Sequence, residues 1–213
     1  MSPARIFYTD DERALIALAE RHPFGDLITV GSTGPLTTAV PLLIAKVQEH
    51  LVITGHLTRT NAQWRQSRTD LEALVVFRAE HGYVSPRWYR SSAQDQRHVP
   101  TWNYSRVEAR GTIEFFTDDE ELLALVTELT ARFEPPAPQG WAPSKSPDDY
   151  IRSQLKAIVG FRVLVNEFTG IRKLSQNKPI IDREAVIRSF NELGQSVLAS
   201  SMQELLVDAD EPR

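Results

Sequence analysis

The sequence predicts a β-barrel with helices at its periphery, which is a mainly β fold. Three early stretches, 26–30, 36–45 and 50–54, are short, rich in leucine and β-branched residues, and separated by brief polar turns. This spacing favours antiparallel strands over parallel strands joined by helical crossovers. Helical patterns occur at the start of the chain, between the late strands and at its end. We therefore expect a sheet core with flanking helices.

Motifs in the first half of the chain place its elements in order. A capping box from Thr9 to Glu12 predicts a helix that ends near His22, because Pro23 follows. Within the second predicted strand, Pro41 indicates an edge position or a bulge. Further on, Asn61 is expected to cap a short helix over 62–67. A strand over 71–77 and a long loop over 78–102, with a strand fragment at Tyr83-Val84, complete this half.

The second half alternates strands and helices. A strand over 107–116 precedes a second capping box, Thr117 to Glu120, and Trp141 is expected to anchor the proline-rich connector that follows. A helix then starts at Ser146, and a strand covers 157–168. We expect Asp182 to cap a helix that stops at Gly194, followed by a last amphipathic helix. The predicted organisation is a barrel domain with flanking helices over 1–190 and a helical tail over 191–213.

Composition excludes several classes of protein. Apolar residues make up 41% and charged residues 24%, as in ordinary globular domains and unlike collagen-like or disordered chains. Cysteine is absent, which excludes disulfides, thiolate metal sites and cysteine nucleophiles. No apolar run approaches the roughly 20 residues that span a bilayer, and the acidic start does not look like a signal peptide. A cytoplasmic protein without membrane contact is expected.

Charge gives no support for broad contact with nucleic acid, since the net charge is −4. Residues 52–110 carry nine arginines against five acidic residues, a local excess of four positive charges. No helix–turn–helix or basic groove-reading helix is legible. DNA therefore remains a candidate partner, although the net charge of the chain does not favour DNA binding.

The first candidate site is the segment 54–61, which joins a predicted strand to a predicted helix. The free amides and partial positive charge of a helix N-terminus suit a phosphate group. The side chains of His56, Arg59, Thr60 and Asn61 are all close to it in sequence. An ordinary helix capped by asparagine, with an exposed arginine, fits the same pattern.

Two further segments carry polar and aromatic groups. Trp102 and Tyr104 can form a flat wall for a planar heteroaromatic ligand, or they can be core residues on one face of a strand. The segment from Lys173 to Lys178 offers two ammonium groups, a hydroxyl and two amides, or is simply a solvated turn. The five histidines lack the spacing of metal ligands, so no metal site is predicted. The glycine-rich motifs of Rossmann and P-loop proteins and the nucleophile elbow of α/β-hydrolases are absent as well.

Five blocks of sequence, in order, resemble the PaiB family of FMN-binding, split-barrel negative transcriptional regulators. They are GHLTRTNAQW (55–64), HGYVSPRWY (81–89), VPTWNY (99–104), DYIRSQLKAIVGF (149–161) and KLSQNK (173–178). The resemblance implies a six-stranded FMN-binding split β-barrel, a homodimer, and a noncovalent FMN site between subunits. The chain departs from the family at Ala39, where relatives commonly have histidine, and at Ala62, where they often have proline.

The resemblance distributes the candidate residues over one flavin site. His56, Arg59, Thr60 and Asn61 would bind the phosphate, and Trp102 and Tyr104 would face the isoalloxazine ring. The pyrimidine edge of the ring would be met by Lys173, Ser175 and Gln176, in one arrangement from the partner subunit. The expected role is a ligand-sensing repressor. Alternatives are a flavin-dependent oxidoreductase and a haem-binding barrel with histidine as axial ligand.

Overall fold

The computed structural model describes residues 4–207, and an antiparallel sheet dominates this part of the chain. The strands are β1 (Tyr8–Thr9), β2 (Phe24–Gly31), β3 (Gly34–Pro41), β4 (Leu43–Val47), β5 (His50–Thr58), β6 (Ala73–Val84), β7 (Thr101–Phe116) and β8 (Ile158–Lys173). The helices are α1 (Glu12–Arg21), α2 (Gln63–Gln66), α3 (Asp119–Phe133), α4 (Asp148–Leu155), α5 (Ile180–Glu192) and α6 (Ser196–Val207). Short 3-10 turns occur at 5–7, 86–88, 90–93 and 143–145.

The strand order is β3-β2-β6-β7-β8-β5-β4, with β1 paired to β8. The pairings of β2 with β3, of β2 with β6 and of β5 with β8 are all antiparallel. The prediction of an antiparallel sheet with peripheral helices is confirmed. Pro41 lies on β3 at the end of this order, so its edge position is confirmed as well.

The chain divides into two units, and each is built from separate stretches of sequence. Among the described residues, unit 1 comprises 4–15, 78–107 and 169–207, and unit 2 comprises 16–77 and 108–168. Strands β6, β7 and β8 each contribute residues to both units. The predicted boundary at residue 190 stays a prediction.

The core of unit 1 forms where α5 and α6 pack around the end of β6. Its buried side chains include Val84, Leu174, Phe190 and Met202. A Cβ atom at Gly82 would lie 2.7 Å from atoms of both Phe190 and Leu198. Only glycine therefore lets the two helices come this close to the strand. Gly194, with φ of 74°, ends α5 as predicted.

In unit 2, Phe116 at the end of β7 packs against two clusters of buried side chains. Leu125 and Leu129 of α3 contact Leu43 in one cluster. In the other, Leu122 contacts α4. Leu122, Leu125 and Leu129 therefore form the apolar face by which α3 packs inside this unit.

Several local predictions need correction. The stretch 36–45 is two strands, β3 and β4, which are separated at Leu42. Residues 78–84 belong to strand β6 and not to a loop, and β7 begins at Thr101, earlier than expected. The capping boxes at Thr9 and Thr117 are wrong: Asp11 accepts the Ala14 N–H at 3.1 Å, and Asp118 caps α3 through two amides at 3.0 Å.

Asp182 is not a cap either. Helix α5 begins at Ile180, and the Asp182 carboxylate is buried within its first turn. Between residues 4 and 207, no helix is both long and apolar enough to cross a bilayer.

Candidate functional site

The residues that follow β5 in unit 2 are tied to the β2–β3 hairpin by polar side chains. Ala62, and not Asn61 as predicted, is the N-cap residue of α2. Asn61 Oδ1 accepts the Gln63 N–H at 2.8 Å, and Asn61 Nδ2 donates to Thr38 Oγ1 at 2.9 Å. Both polar groups of this amide therefore have partners within the fold. Helix α2 has only four residues, so its dipole adds little positive potential for a phosphate.

Gln63 is the buried centre of this attachment. Its Nε2 donates to Leu27 O and to Thr29 Oγ1, both at 3.1 Å, while its Oε1 accepts from Thr38 Oγ1 at 2.5 Å. The side chain is 3% exposed, so these bonds replace contacts with water. The segment from Arg59 to Gln63 is held in place by this network.

Arg59 keeps hydrogen-bonding capacity that the fold does not use. Its guanidinium donates one bond to Ile158 O at 3.2 Å, while Nε is buried and has no partner among residues 4–207. Trp64 Nε1 donates to the Arg59 carbonyl at 3.0 Å and fixes the backbone there. Thr60 is exposed, and its hydroxyl donates to Thr58 Oγ1 at 3.3 Å. Among the predicted phosphate ligands, Arg59 and Thr60 have hydrogen-bonding capacity to spare, and so does His56, whose buried Nδ1 has no partner among residues 4–207.

His56 lines a different feature of unit 2, a cavity of about 380 Å³ between β5, α3, α4 and the proline-rich connector. Trp141, the predicted anchor of that connector, is 45% exposed and lines the same cavity together with Tyr150. Burial lowers the pKa of the His56 imidazole below 6.5, so the ring is mostly neutral at pH 7. A neutral imidazole suits hydrogen bonding in a largely apolar cavity better than it suits attraction of an anion.

An exposed aromatic surface lies on β6 and β7 in unit 1. The Trp102 side chain is 52% exposed, and its ring centroid lies 5.9 Å from that of His81 and 6.2 Å from that of Tyr83. Tyr104 is partly buried on the same side of β7, as expected for a period of two. The interpretation of Trp102 as a core residue is therefore wrong. Trp102 is an exposed ring with aromatic neighbours.

Between these two aromatics, Asn103 points into the unit. It is fully buried, its Oδ1 accepts from Ser175 Oγ at 3.0 Å, and its Nδ2 donates to Met202 Sδ at 3.3 Å. These bonds join β7 to the turn after β8 and to helix α6. The Ser175 hydroxyl is therefore engaged inside the fold.

The turn from Lys173 to Lys178 is shaped by its own polar groups. Ser175 has φ of 64°, in the left-handed region, and its carbonyl accepts the Lys178 N–H at 2.9 Å. Gln176 Oε1 accepts the Leu174 N–H at 2.8 Å, and Gln176 Nε2 donates to Arg172 O at 2.5 Å. Gln176 thus closes the turn, and the two lysines are its charged groups.

The structure separates the predicted site residues by unit. Unit 2 holds His56, Arg59, Thr60 and Asn61, and unit 1 holds Trp102, Tyr104, Lys173, Ser175 and Gln176. Sequence reasoning missed three residues that lie beside the predicted ones in unit 1. His81 and Tyr83 flank Trp102, and Tyr89 lies beside Lys178. The alternation of aromatic residues about Gly82 was the signal for the first two.

The fold resembles that of two solved structures. A flavocytochrome from Azotobacter vinelandii aligns with a TM-score of 0.60 and 11% identity, covering 81% of this chain and 72% of that chain. An FAD and haem binding protein from Mycobacterium smegmatis aligns with a TM-score of 0.56 and 18% identity, covering 84% and 78%. At these identities the likeness defines the class of fold alone.

Sequence comparison defines the family. The family described as "Putative FMN-binding domain" matches residues 1–167, and the chain belongs to it. A relative from Bacillus subtilis, protease synthase and sporulation protein PAI 2, is 34% identical over 195 residues, which are 89% of this chain and 88% of the relative. The resemblance to the PaiB family is confirmed. The family match contains Arg59 and Trp102 but ends before Lys173.

Proposed function

We propose that the chain binds FMN noncovalently, forms a homodimer, and acts as a PaiB-type negative regulator of transcription that senses this ligand. The observation that carries the proposal is the family match over residues 1–167. A role in transcription requires a cytoplasmic location, which stays a prediction.

The residues of unit 1 fit the flat part of a flavin. Trp102 exposes about half of its side chain, and His81 and Tyr83 flank the indole within 6.2 Å between ring centroids. An exposed aromatic ring offers a stacking surface to an isoalloxazine system. The bound flavin would supply the redox-active or light-absorbing group, while the protein orients it.

Unit 2 supplies a candidate partner for the phosphate. The Arg59 guanidinium makes one hydrogen bond to a carbonyl and keeps further N–H donors in a fixed plane. Trp64 and the Gln63 network hold the backbone on both sides of it. Such a preorganised guanidinium loses little freedom when it binds a phosphate.

A direct test starts from the visible spectrum of the freshly purified protein, followed by a fluorescence titration with FMN. Trp102→Ala should weaken FMN binding by about 3- to 10-fold, because a stacking contact is lost. Phe24→Ala removes an exposed aromatic ring from β2 in unit 2, away from the candidate residues, and is the control. Equal affinities of the two variants and the wild type would remove Trp102 from the site, and absence of FMN binding would overturn the proposal.

The regulatory part needs a separate measurement. We expect FMN to change the affinity of the dimer for its target promoter DNA in a mobility-shift assay at about 150 mM salt. Binding that disappears at this salt, with or without FMN, would contradict direct repression. Steady turnover of NAD(P)H by the flavin-loaded protein would favour the oxidoreductase instead, and a Soret band on haem addition would favour the haem-binding alternative. Light scattering during size-exclusion chromatography tests the homodimer.

A further inference from the structure

Unit 1 contains a small cavity of about 200 Å³, and its apolar lining comes from Phe7 and Val99. Two of its polar residues, Lys173 and Ser175, are among those predicted to meet the flavin ring, whereas Tyr89 and Lys178 are not. Its polar lining comes from Tyr89, Thr101, Lys173, Ser175, Asn177 and Lys178. Ligand pockets for drug-sized molecules have volumes of about 300–1,000 Å³, so this cavity suits a charged group rather than a whole heteroaromatic molecule.

Two ammonium groups line the cavity, and none of residues 4–207 contributes a carboxylate to its lining. Lys173 Nζ donates to Thr101 Oγ1 at 2.6 Å and to the Trp102 carbonyl, which leaves one N–H and fixes the position of the charge. Lys178 Nζ lies 4.8 Å from the centroid of the Tyr89 ring, and it forms no ion pair with any residue between 4 and 207. Burial, and then repulsion by Lys178, lower the pKa of Lys173, as expected for two cations without a counter-ion.

The cavity wall also holds an unpaired polar atom. Tyr89 is 3% exposed, and its hydroxyl is buried without a hydrogen-bond partner in the described part of the chain. The Asp182 carboxylate acts on this hydroxyl through its charge but accepts no hydrogen bond from it. Both Asp182 oxygens accept hydrogen bonds from Ser91 instead. A buried hydroxyl without a partner is costly, and a bound acceptor would remove that cost.

We infer that this cavity binds a phosphate-sized oxyanion, held by the ammonium groups of Lys173 and Lys178 and by the hydroxyl of Tyr89. The oxyanion neutralises the repulsion between the lysines and accepts the hydrogen bond that Tyr89 lacks. It is either free inorganic phosphate or the phosphate group of a larger ligand such as FMN. The inference does not depend on flavin binding.

The test is calorimetric titration of the full chain with inorganic phosphate at pH 7, in a buffer free of other oxyanions. Binding should be measurable at concentrations up to roughly 10 mM. Lys178→Ala should weaken it about 10-fold or more, and Tyr89→Phe, which removes only the hydroxyl, about 3- to 10-fold. Lys156→Ala, which removes an exposed lysine of unit 2, should leave the affinity unchanged. Urea unfolding of each variant verifies that it is folded.

Competition identifies the source of the phosphate. If FMN displaces inorganic phosphate and riboflavin does not, the cavity takes the phosphate of the flavin. If neither displaces it, the cavity serves a separate phosphate. Absence of phosphate binding, or equal binding by the wild type, Lys178→Ala and Tyr89→Phe, would overturn the inference even when FMN binds. Phosphate binding without FMN binding would overturn the proposed function alone.

Discussion

Ser91 donates both its backbone N–H and its hydroxyl to the carboxylate of Asp182, at 2.9 and 2.5 Å. The two residues are far apart in sequence, and Asp182 has no exposed surface. The contact therefore fastens the 3-10 turn at 90–93 to the first turn of α5 within unit 1. Because hydrogen bonds to a charged group are the stronger kind, this pair is a major attachment of α5.

Asp182→Ala should lower the free energy of unfolding by about 2–4 kcal/mol, since it leaves the Ser91 amide and hydroxyl without their acceptor. Urea denaturation followed by circular dichroism measures the change. Glu184→Ala removes an exposed carboxylate from the same helix and should change stability by less than about 0.5 kcal/mol. Equal effects of the two substitutions would mean that the Ser91 contact contributes nothing.

Gln63→Ala should destabilise the protein by about 1–3 kcal/mol, because Leu27 O, Thr29 Oγ1 and Thr38 Oγ1 lose a shared partner. Gln66→Ala, at an exposed position of the same short helix, is the control and should be nearly neutral. Thermal unfolding of both variants is the measurement. A neutral Gln63→Ala would show that water replaces the amide without loss.

Acidification should destabilise unit 2 through His56. Burial places the pKa of this histidine in the folded state below its unfolded value of 6.5. Between the two pKa values the unfolded chain binds the proton more readily, so stability is present above 6.5 and is lost as the pH falls towards the folded pKa. The loss is at most about 1.4 kcal/mol per pH unit.

The measurement for His56 is urea denaturation at pH 7.5 and at pH 5.5, or about one unit on either side of the unfolded value. His56→Gln should reduce the difference in unfolding free energy between the two pH values. His50→Gln, at an exposed position of the same strand, should leave that difference as in the wild type. An unchanged difference in His56→Gln would assign the acid sensitivity to other groups.

Arg59→Ala should weaken FMN binding about 10- to 100-fold, as expected for the loss of a charge-assisted hydrogen bond to phosphate. Arg21→Ala removes an exposed guanidinium from α1, elsewhere in unit 2, and serves as the control. A fluorescence titration with FMN compares them. Unchanged affinity in Arg59→Ala would remove this residue from the phosphate site and leave the unit 1 lysines as the cationic partner.

The helix starts illustrate how much local sequence patterns could predict. Both capping boxes predicted a helix in the right place. The caps are nevertheless Asp11 and Asp118, whose carboxylates accept N–H groups of the first helical turn in place of the predicted threonine hydroxyls. Propensity alone does not choose between neighbouring caps. The antiparallel order of the early strands was predictable because their turns are short.

Long-range packing accounts for what sequence patterns could not predict. The segment 78–84 shows no sustained sequence period, and it is a strand because β6 has β7 as a neighbour in the sheet. Phe190 and Leu198 lie close to this strand at Gly82. In the candidate site, the two lysines and Trp102 were identified from their residue types. The convergence of Lys178 and Tyr89 was not predictable, because it depends on the left-handed conformation of Ser175.

The assembly of each unit from separated stretches has a consequence for biosynthesis. A nascent chain that ends at residue 107 holds parts of both units and the whole of neither. Unit 2 is complete only when residue 168 has been synthesised, and unit 1 is complete only when α6 has been synthesised. A premature stop before α6 leaves the apolar surface of Val84 and Phe190 uncovered. Truncated products of this gene should therefore be substrates for chaperones and proteases and should not accumulate as stable fragments.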